Sequence, residues 1–180
     1  MANFGEWLSI TAAQRLTEIE LMKKFVAFFC ALILCSSGSA MARPLVPYHS
    51  GDWSKLMAQV KGKRAIIHIW GFSCGPCVDE LPAWGNFAAT HPELQLTLLE
   101  VDIVPEEMTV KTLIEAKLIN ADNRVTVEYF DDYMRFEIDP KWMGELPITL
   151  LIDANGSVKK LRGSVNFKAV NEWAMNKGEK

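Results

Sequence analysis

The chain has 180 residues, with 19 Lys and Arg set against 22 Asp and Glu for a net charge of −3, and 49% of it is hydrophobic. That is enough for one compact domain with a core of its own. With no basic stripe and no acidic tail, the charge pattern gives no ground for a nucleic-acid partner or a strongly charged one.

In chain order, Met22-Lys23-Lys24 is a basic segment and Phe25 to Cys35 an apolar run, shorter than the roughly 20 residues of a membrane span. Ser36 to Ser39 breaks the run, and Ala40-Met41-Ala42 is a small-x-small cleavage site. Residues 22–42 therefore read as a signal peptide removed before Arg43, with 43–180 as the exported domain. Residues 1–21 are either an extension left by a start assigned too early, with Met22 the true start, or the cytoplasmic tail of an uncleaved anchor. Cleavage removes Cys30 and Cys35 and leaves only Cys74 and Cys77. A pair this close restrains the unfolded chain little, so redox chemistry is the better reason to keep it in an exported protein.

Arg43 to Tyr48, with two prolines, reads as an extended leader, and Asp52 to Met57 as a short helix. Arg64 to Trp70 is a buried strand and 75–90 a helix interrupted by Pro82. Leu94 to Ile103 is a strand; Pro105-Glu106-Glu107 opens a helix running to about Ile119. Arg124 to Tyr129 is a short β run, and Asp131 caps a helix to Ile138. Ile148–Asp153 and Ser157–Gly163 flank the turn Ala154-Asn155-Gly156 as a hairpin. Phe167 to Lys177 closes the chain as an amphipathic helix. Alternating strands and helices predict an α/β fold whose mostly parallel sheet gains an antiparallel edge from the last hairpin.

Cys74-Gly75-Pro76-Cys77 joins the buried strand to the helix. Free N–H groups and the positive dipole end at a helix start favour thiolate over thiol, so this pair is placed to open and close a disulfide. The other reading of two such cysteines, half a zinc site, needs further ligands, and His49, His68 and His91 have no paired spacing. Glu80 lies three residues after Cys77, near the thiols on a helix. There it is either a solvated acid or a carboxyl whose burial lets it exchange the Cys77 proton. Asp79 points to water. His68, six residues before Cys74, faces away from Ile67 and Ile69. It is either a neutral core histidine or a proton relay beneath Cys77. Gly75 and Pro76 put no positive charge beside Cys74, which argues for a reductant rather than an oxidant.

The run Ile66 to Cys77, with Leu146-Pro147-Ile148-Thr149 some seventy residues on and the tail Leu150 to Val158, resembles the thioredoxin fold. Cys77-x-x-Glu80-Leu81-Pro82 and the helix-plus-strand near 105–129 are similar to its exported TlpA-type branch, which includes thioredoxins of cytochrome c maturation. The resemblance implies a central mixed sheet flanked by helices, with a TlpA-type helix-strand insertion. It implies thiol–disulfide oxidoreductase activity, with Cys74 as the attacking thiol and Cys77 as the resolving one. Glu80 and His68 would assist, and no cofactor or metal would be needed beyond the redox-active disulfide. Pro147 would follow a cis bond and turn Leu146 toward substrate, beside Gly75, Pro76 and Trp70. Partners would be disulfide-bearing proteins, such as apocytochrome c or copper-handling proteins, and a membrane electron donor. The protein would act as a monomer in the periplasm, released or anchored to the membrane. His68 departs from the acid or Asn of that family, and Ser73 from its usual Trp. An oxidase or isomerase, and a copper-binding module using Cys74, Cys77 and His68, are the competing readings.

Overall fold

At the centre of the fold lies a strand buried on both faces, β2 (Ala65–Trp70), in which no residue reaches solvent. The computed structural model describes residues 44–176; the expected signal peptide, 22–42, and the residues ahead of it lie outside the described ones. The remaining elements are β1 (Val46–Tyr48), α1 (Asp52–Val60), α2 (Gly75–Thr90), β3 (Gln95–Glu100), α3 (Glu106–Glu115), β4 (Asp122–Thr126), α4 (Asp132–Ile138), β5 (Ile148–Ile152), β6 (Val158–Arg162) and α5 (Phe167–Met175). The six strands form one sheet in the order β1-β4-β3-β2-β5-β6. The first four neighbours run parallel, and β5 and β6 join antiparallel to β2 and to each other.

Strand alternation sorts β2 onto two cores. Ala65, Ile67 and Ile69 pack with Leu99, Ile148 and Leu150 beneath α1 and α4. Ile66 and Trp70 pack with Leu98, Leu151 and the α2 residues Cys77, Leu81 and Trp84. Covering both faces explains why β2 is a continuous apolar run rather than an alternating one. Arg64, just before β2, donates to the carbonyls of Trp173 and Ala174 at the end of α5 and stacks 4.2 Å over the Trp173 ring. A cation there suits the negative end of the helix.

Several expected boundaries move. The prolines of the leader do not keep it out of the sheet: Val46–Tyr48 pairs with Arg124–Thr126 as an edge strand, where a missing N–H is tolerated. The strand expected to reach Ile103 stops at Glu100, because Asp102 turns aside to bond the segment after β2. The β run expected at 124–129 begins at Asp122, paired to Thr97, and ends at Thr126. The helix expected to run to about Ile119 stops at Glu115. Lys117 takes a left-handed φ of 61°, and the Leu118 N–H turns back to the Leu113 carbonyl at 2.7 Å, a way of closing a helix end. Asp131 does cap α4, accepting the Met134 N–H at 2.9 Å.

Candidate active site

Parallel strands deliver the loops after their C-terminal ends to the same edge of a sheet. Here β2, β3 and β4 bring residues 71–74, 101–103 and 127–130 together. Because β5 runs the other way, its N-terminal end, Leu146-Pro147, arrives at that edge too. The four segments enclose a cleft of about 360 Å³ lined by Ser73, Asp102, Tyr129, Arg135, Trp142 and Leu146, among others. Its surroundings are apolar and open: Tyr129 is 79% exposed and Met143, beside Trp142, 85%. The larger cleft of about 770 Å³ opens at the other end of the strands, near Gln95 and Asp122, and contains no thiol.

Cys74 is the N-cap of α2, and its sulfur is bonded to Cys77. The Cys77 N–H donates to Cys74 Sγ over 3.2 Å. Pro76 falls in the first turn of α2, where a missing N–H does no harm. The two sulfurs differ in access: Cys77 is fully buried among Ile66, Leu81 and Trp84, whereas Cys74 is half-buried. Gly75, Pro76 and Asp79 are exposed. The Leu146–Pro147 bond is cis. Pro147 is buried with its carbonyl accepting from the Gly163 N–H at 2.8 Å, and half-buried Leu146 lines the cleft. Trp70 is 0% exposed. A side chain sealed under α2 cannot touch a substrate, so the expectation that it lines the binding surface is corrected: Trp70 belongs to the floor of the site.

Glu80 is not a solvated acid. It is 9% exposed, with Oε1 accepting from the Trp84 indole N–H and Oε2 from the Val165 N–H, each at 3.2 Å. Burial raises its pKa above the ordinary carboxylate value, against the opposing pull of those bonds and one from Ser164. His68 is wholly buried, with Nδ1 2.9 Å from Thr149 Oγ1, its neighbour across the β2–β5 ladder. Its Nε2 lies 3.5 Å from Glu80 Oε1 and has no hydrogen-bond partner among the described residues. Burial pushes the imidazole down to about 3, so the contact joins a neutral ring to a carboxyl and is not an ion pair. The tilted Trp84 ring, 4.9 Å away, closes the pocket. A carboxyl with a raised pKa and a neutral imidazole thus form a buried polar pair on the α2 side of the sheet.

Sequence reasoning gave no functional part to four residues that the structure brings to the site. Thr149 and Trp84, which orient His68 and Glu80, are spelled like ordinary core residues. Asp102 and the buried Glu100 end a strand and carry no motif. Asp102 accepts from the Ser73 N–H at 2.7 Å and from its hydroxyl at 3.2 Å, and its own N–H donates to Glu100 Oε1 at 2.6 Å.

No family model matches the chain. It is 26% identical over 105 residues to the thiol-disulfide oxidoreductase ResA of Geobacillus thermodenitrificans, a match that takes in 58% of this chain and only 57% of that relative's length. ResA of Halalkalibacterium halodurans is 22% identical over 151 residues, covering 81% of this chain and 80% of the relative. Among solved structures, a secreted Mycobacterium tuberculosis disulfide oxidoreductase described as homologous to E. coli DsbE superposes with a TM-score of 0.53 at 16% identity, over 65% of this chain and 84% of that one. The M. tuberculosis protein dsbF gives 0.54 at 18% identity, over 67% and 84%. On fold and sequence likeness together, the chain has a thioredoxin-type fold and is similar in sequence to the ResA thiol-disulfide oxidoreductases.

Proposed function

We propose that the protein is an exported thiol–disulfide reductase acting on disulfides of other exported proteins. The observation that carries this reading is the unequal access of two linked sulfurs at a helix N-terminus, Cys74 reachable and Cys77 sealed. In the reduced protein the Cys74 thiolate attacks one sulfur of a substrate disulfide. That S–S bond breaks, a mixed disulfide forms, and the other substrate sulfur leaves as a thiolate. Cys77 then attacks Cys74. The intramolecular bond closes, the substrate departs with two thiols, and the two electrons have passed to it.

Cys77 must lose its proton away from bulk water. Glu80, one helical turn further on, is a buried acid on the same helix, and its raised pKa suits it to take and return that proton. His68, neutral and with Nε2 3.5 Å from Glu80 Oε1, assists as a polar neighbour to the carboxyl. Leu146, Gly75 and Pro76 present the substrate-facing surface beside Pro147, and the open cleft next to Ser73 leaves room for an extended segment. No metal or cofactor enters the cycle.

The reducing direction is supported by charge. Gly75 and Pro76 bring no cation to Cys74, while Asp79 and Glu80 lie close by. Thioredoxin's potential is about −270 mV against about −120 mV for a strong oxidant, a gap of roughly 7 kcal/mol. A membrane donor would re-reduce the pair in the periplasm, where the signal-peptide reading places the protein. Apocytochrome c and copper-handling proteins are the substrate classes to try first.

The test is capture with Cys77→Ala, which stalls the cycle at the mixed disulfide. That variant should accumulate covalent adducts with exported proteins, identified after non-reducing electrophoresis, and Cys74→Ala should not. Equal capture by both variants would refute the assignment of the two thiols.

A further inference from the structure

The loop that leads into Cys74 is held from outside its own helix by an acid that no motif announces. Asp102 grips Ser73 twice, through its N–H at 2.7 Å and its hydroxyl at 3.2 Å. The hold leaves little room two residues earlier: a Cβ on Gly71 would stand 2.7 Å from Asp102 Oδ2 and would push the carboxylate aside. Asp102 is itself fixed. Its N–H donates to Oε1 of Glu100, which is 2% exposed, and the preceding Val101 N–H bonds the Trp70 carbonyl at 3.0 Å. So the last residue of β3 holds Asp102, and Asp102 holds the residue before the reactive sulfur.

We infer that Asp102 is a positioning residue that sets the acidity of Cys74, by fixing a carboxylate on the residue before the thiol and by occupying the Ser73 N–H. The inference rests on Cys74 being the exchanging thiol. A backbone N–H one residue from a sulfur is a natural donor to a thiolate, and Asp102 takes that donor away. A carboxylate at short range also disfavours a second negative charge. Both effects raise the Cys74 pKa and weaken the reduced form relative to the disulfide, which strengthens the pair as an electron donor. The α2 amides pull the opposite way, so the thiol's acidity is the balance of the helix N-terminus against Asp102. Burial raises Glu100 to about 8.

The experiment compares the reduced full-length protein with Asp102→Asn, which keeps the shape and one acceptor oxygen. Alkylation by iodoacetamide is followed against pH, with modification read at the Cys74 peptide by mass spectrometry, and the dithiol–disulfide equilibrium is measured against glutathione. Asp102→Asn should lower the Cys74 pKa by about half a unit or more, giving roughly threefold more thiolate below the pKa. The equilibrium should shift toward the reduced form by up to the same factor, approached only at pH values above the Cys74 pKa, where thiolate is the dominant reduced species. The difference between the two proteins should shrink in 1 M salt, where charges are screened within about 3 Å; a merely structural hold would not respond in this way. If Asp102→Asn does not fold, Asp102→Ser, which also removes the carboxylate, carries the same expectation. An unchanged Cys74 pKa and equilibrium in a variant whose parent exchanges disulfides would overturn this inference alone. A parent whose Cys74 reacts no faster than free cysteine and exchanges no disulfide would overturn the functional reading beneath it as well.

Discussion

Glu80 and His68 show how much one buried contact changes the chemistry of ordinary side chains. An acid in the first turns of a surface helix titrates in its usual range, but here the Trp84 indole and the Val165 amide draw it inward and burial raises its pKa. A histidine on a strand face normally titrates near neutrality, yet this one has no water to support a charge. Glu80→Gln keeps an oxygen for Trp84 and removes the titrating carboxyl. If Glu80 handles the Cys77 proton, reduction of insulin disulfides should slow about a hundredfold while alkylation of Cys74 stays as it was. Unchanged turnover would leave Glu80 with a packing role only.

At the scale of elements, α2 matters most, because it carries both thiols and closes one face of the sheet. Its position is set partly by Gly85, where the carbonyl of Ala116, just past α3, comes so near that an added Cβ would lie 1.9 Å from the oxygen. A backbone carbonyl cannot rotate away as a long side chain can. Gly85→Ala must therefore push α2 and the end of α3 apart, at a cost of about 1–3 kcal/mol or more. The urea midpoint should fall accordingly, and Cys77, on the same helix, should become more open to alkylation in the reduced protein. A midpoint equal to that of the parent would mean that the two elements are not clamped at Gly85.

For the whole molecule, two buried groups tie stability to pH in opposite senses. Burial raises Glu100 from 4.5 to about 8, so its contribution is complete below 4.5 and is lost as pH rises toward 8. Burial lowers His68 from 6.5 to about 3, so its contribution is complete above 6.5 and is lost as pH falls toward 3. Between about 4.5 and 6.5 the two slopes cancel. Stability measured by urea unfolding should therefore change little across that window, falling gently as the raised Glu80 carboxyl ionises. It should decline by an amount on the order of a kcal/mol or two up to pH 8 and decline again on the acid side. Glu100→Gln should abolish the alkaline decline and expose a His68-driven rise between pH 4.5 and 6.5. A parent-like profile in that variant would remove Glu100 from the account.

The order of elements, the helix start beneath Cys74 and the antiparallel closing hairpin could be read from the chain alone, because periodicity, capping and turn chemistry act over a few residues. Cys74 and Cys77 stood out for the same reason, as a short local pattern, whereas the cis bond before Pro147 was expected from the family resemblance alone. Tertiary structure decided the rest. It turned the leader into a strand, sealed Trp70 away from the surface, set His68 against Glu80 and brought Asp102 to Ser73 across 29 residues. Burial and pairing across a sheet depend on which segments share an edge, and the desolvation that shifts Glu80, Glu100 and His68 exists only once the sheet and its covering helices have excluded water.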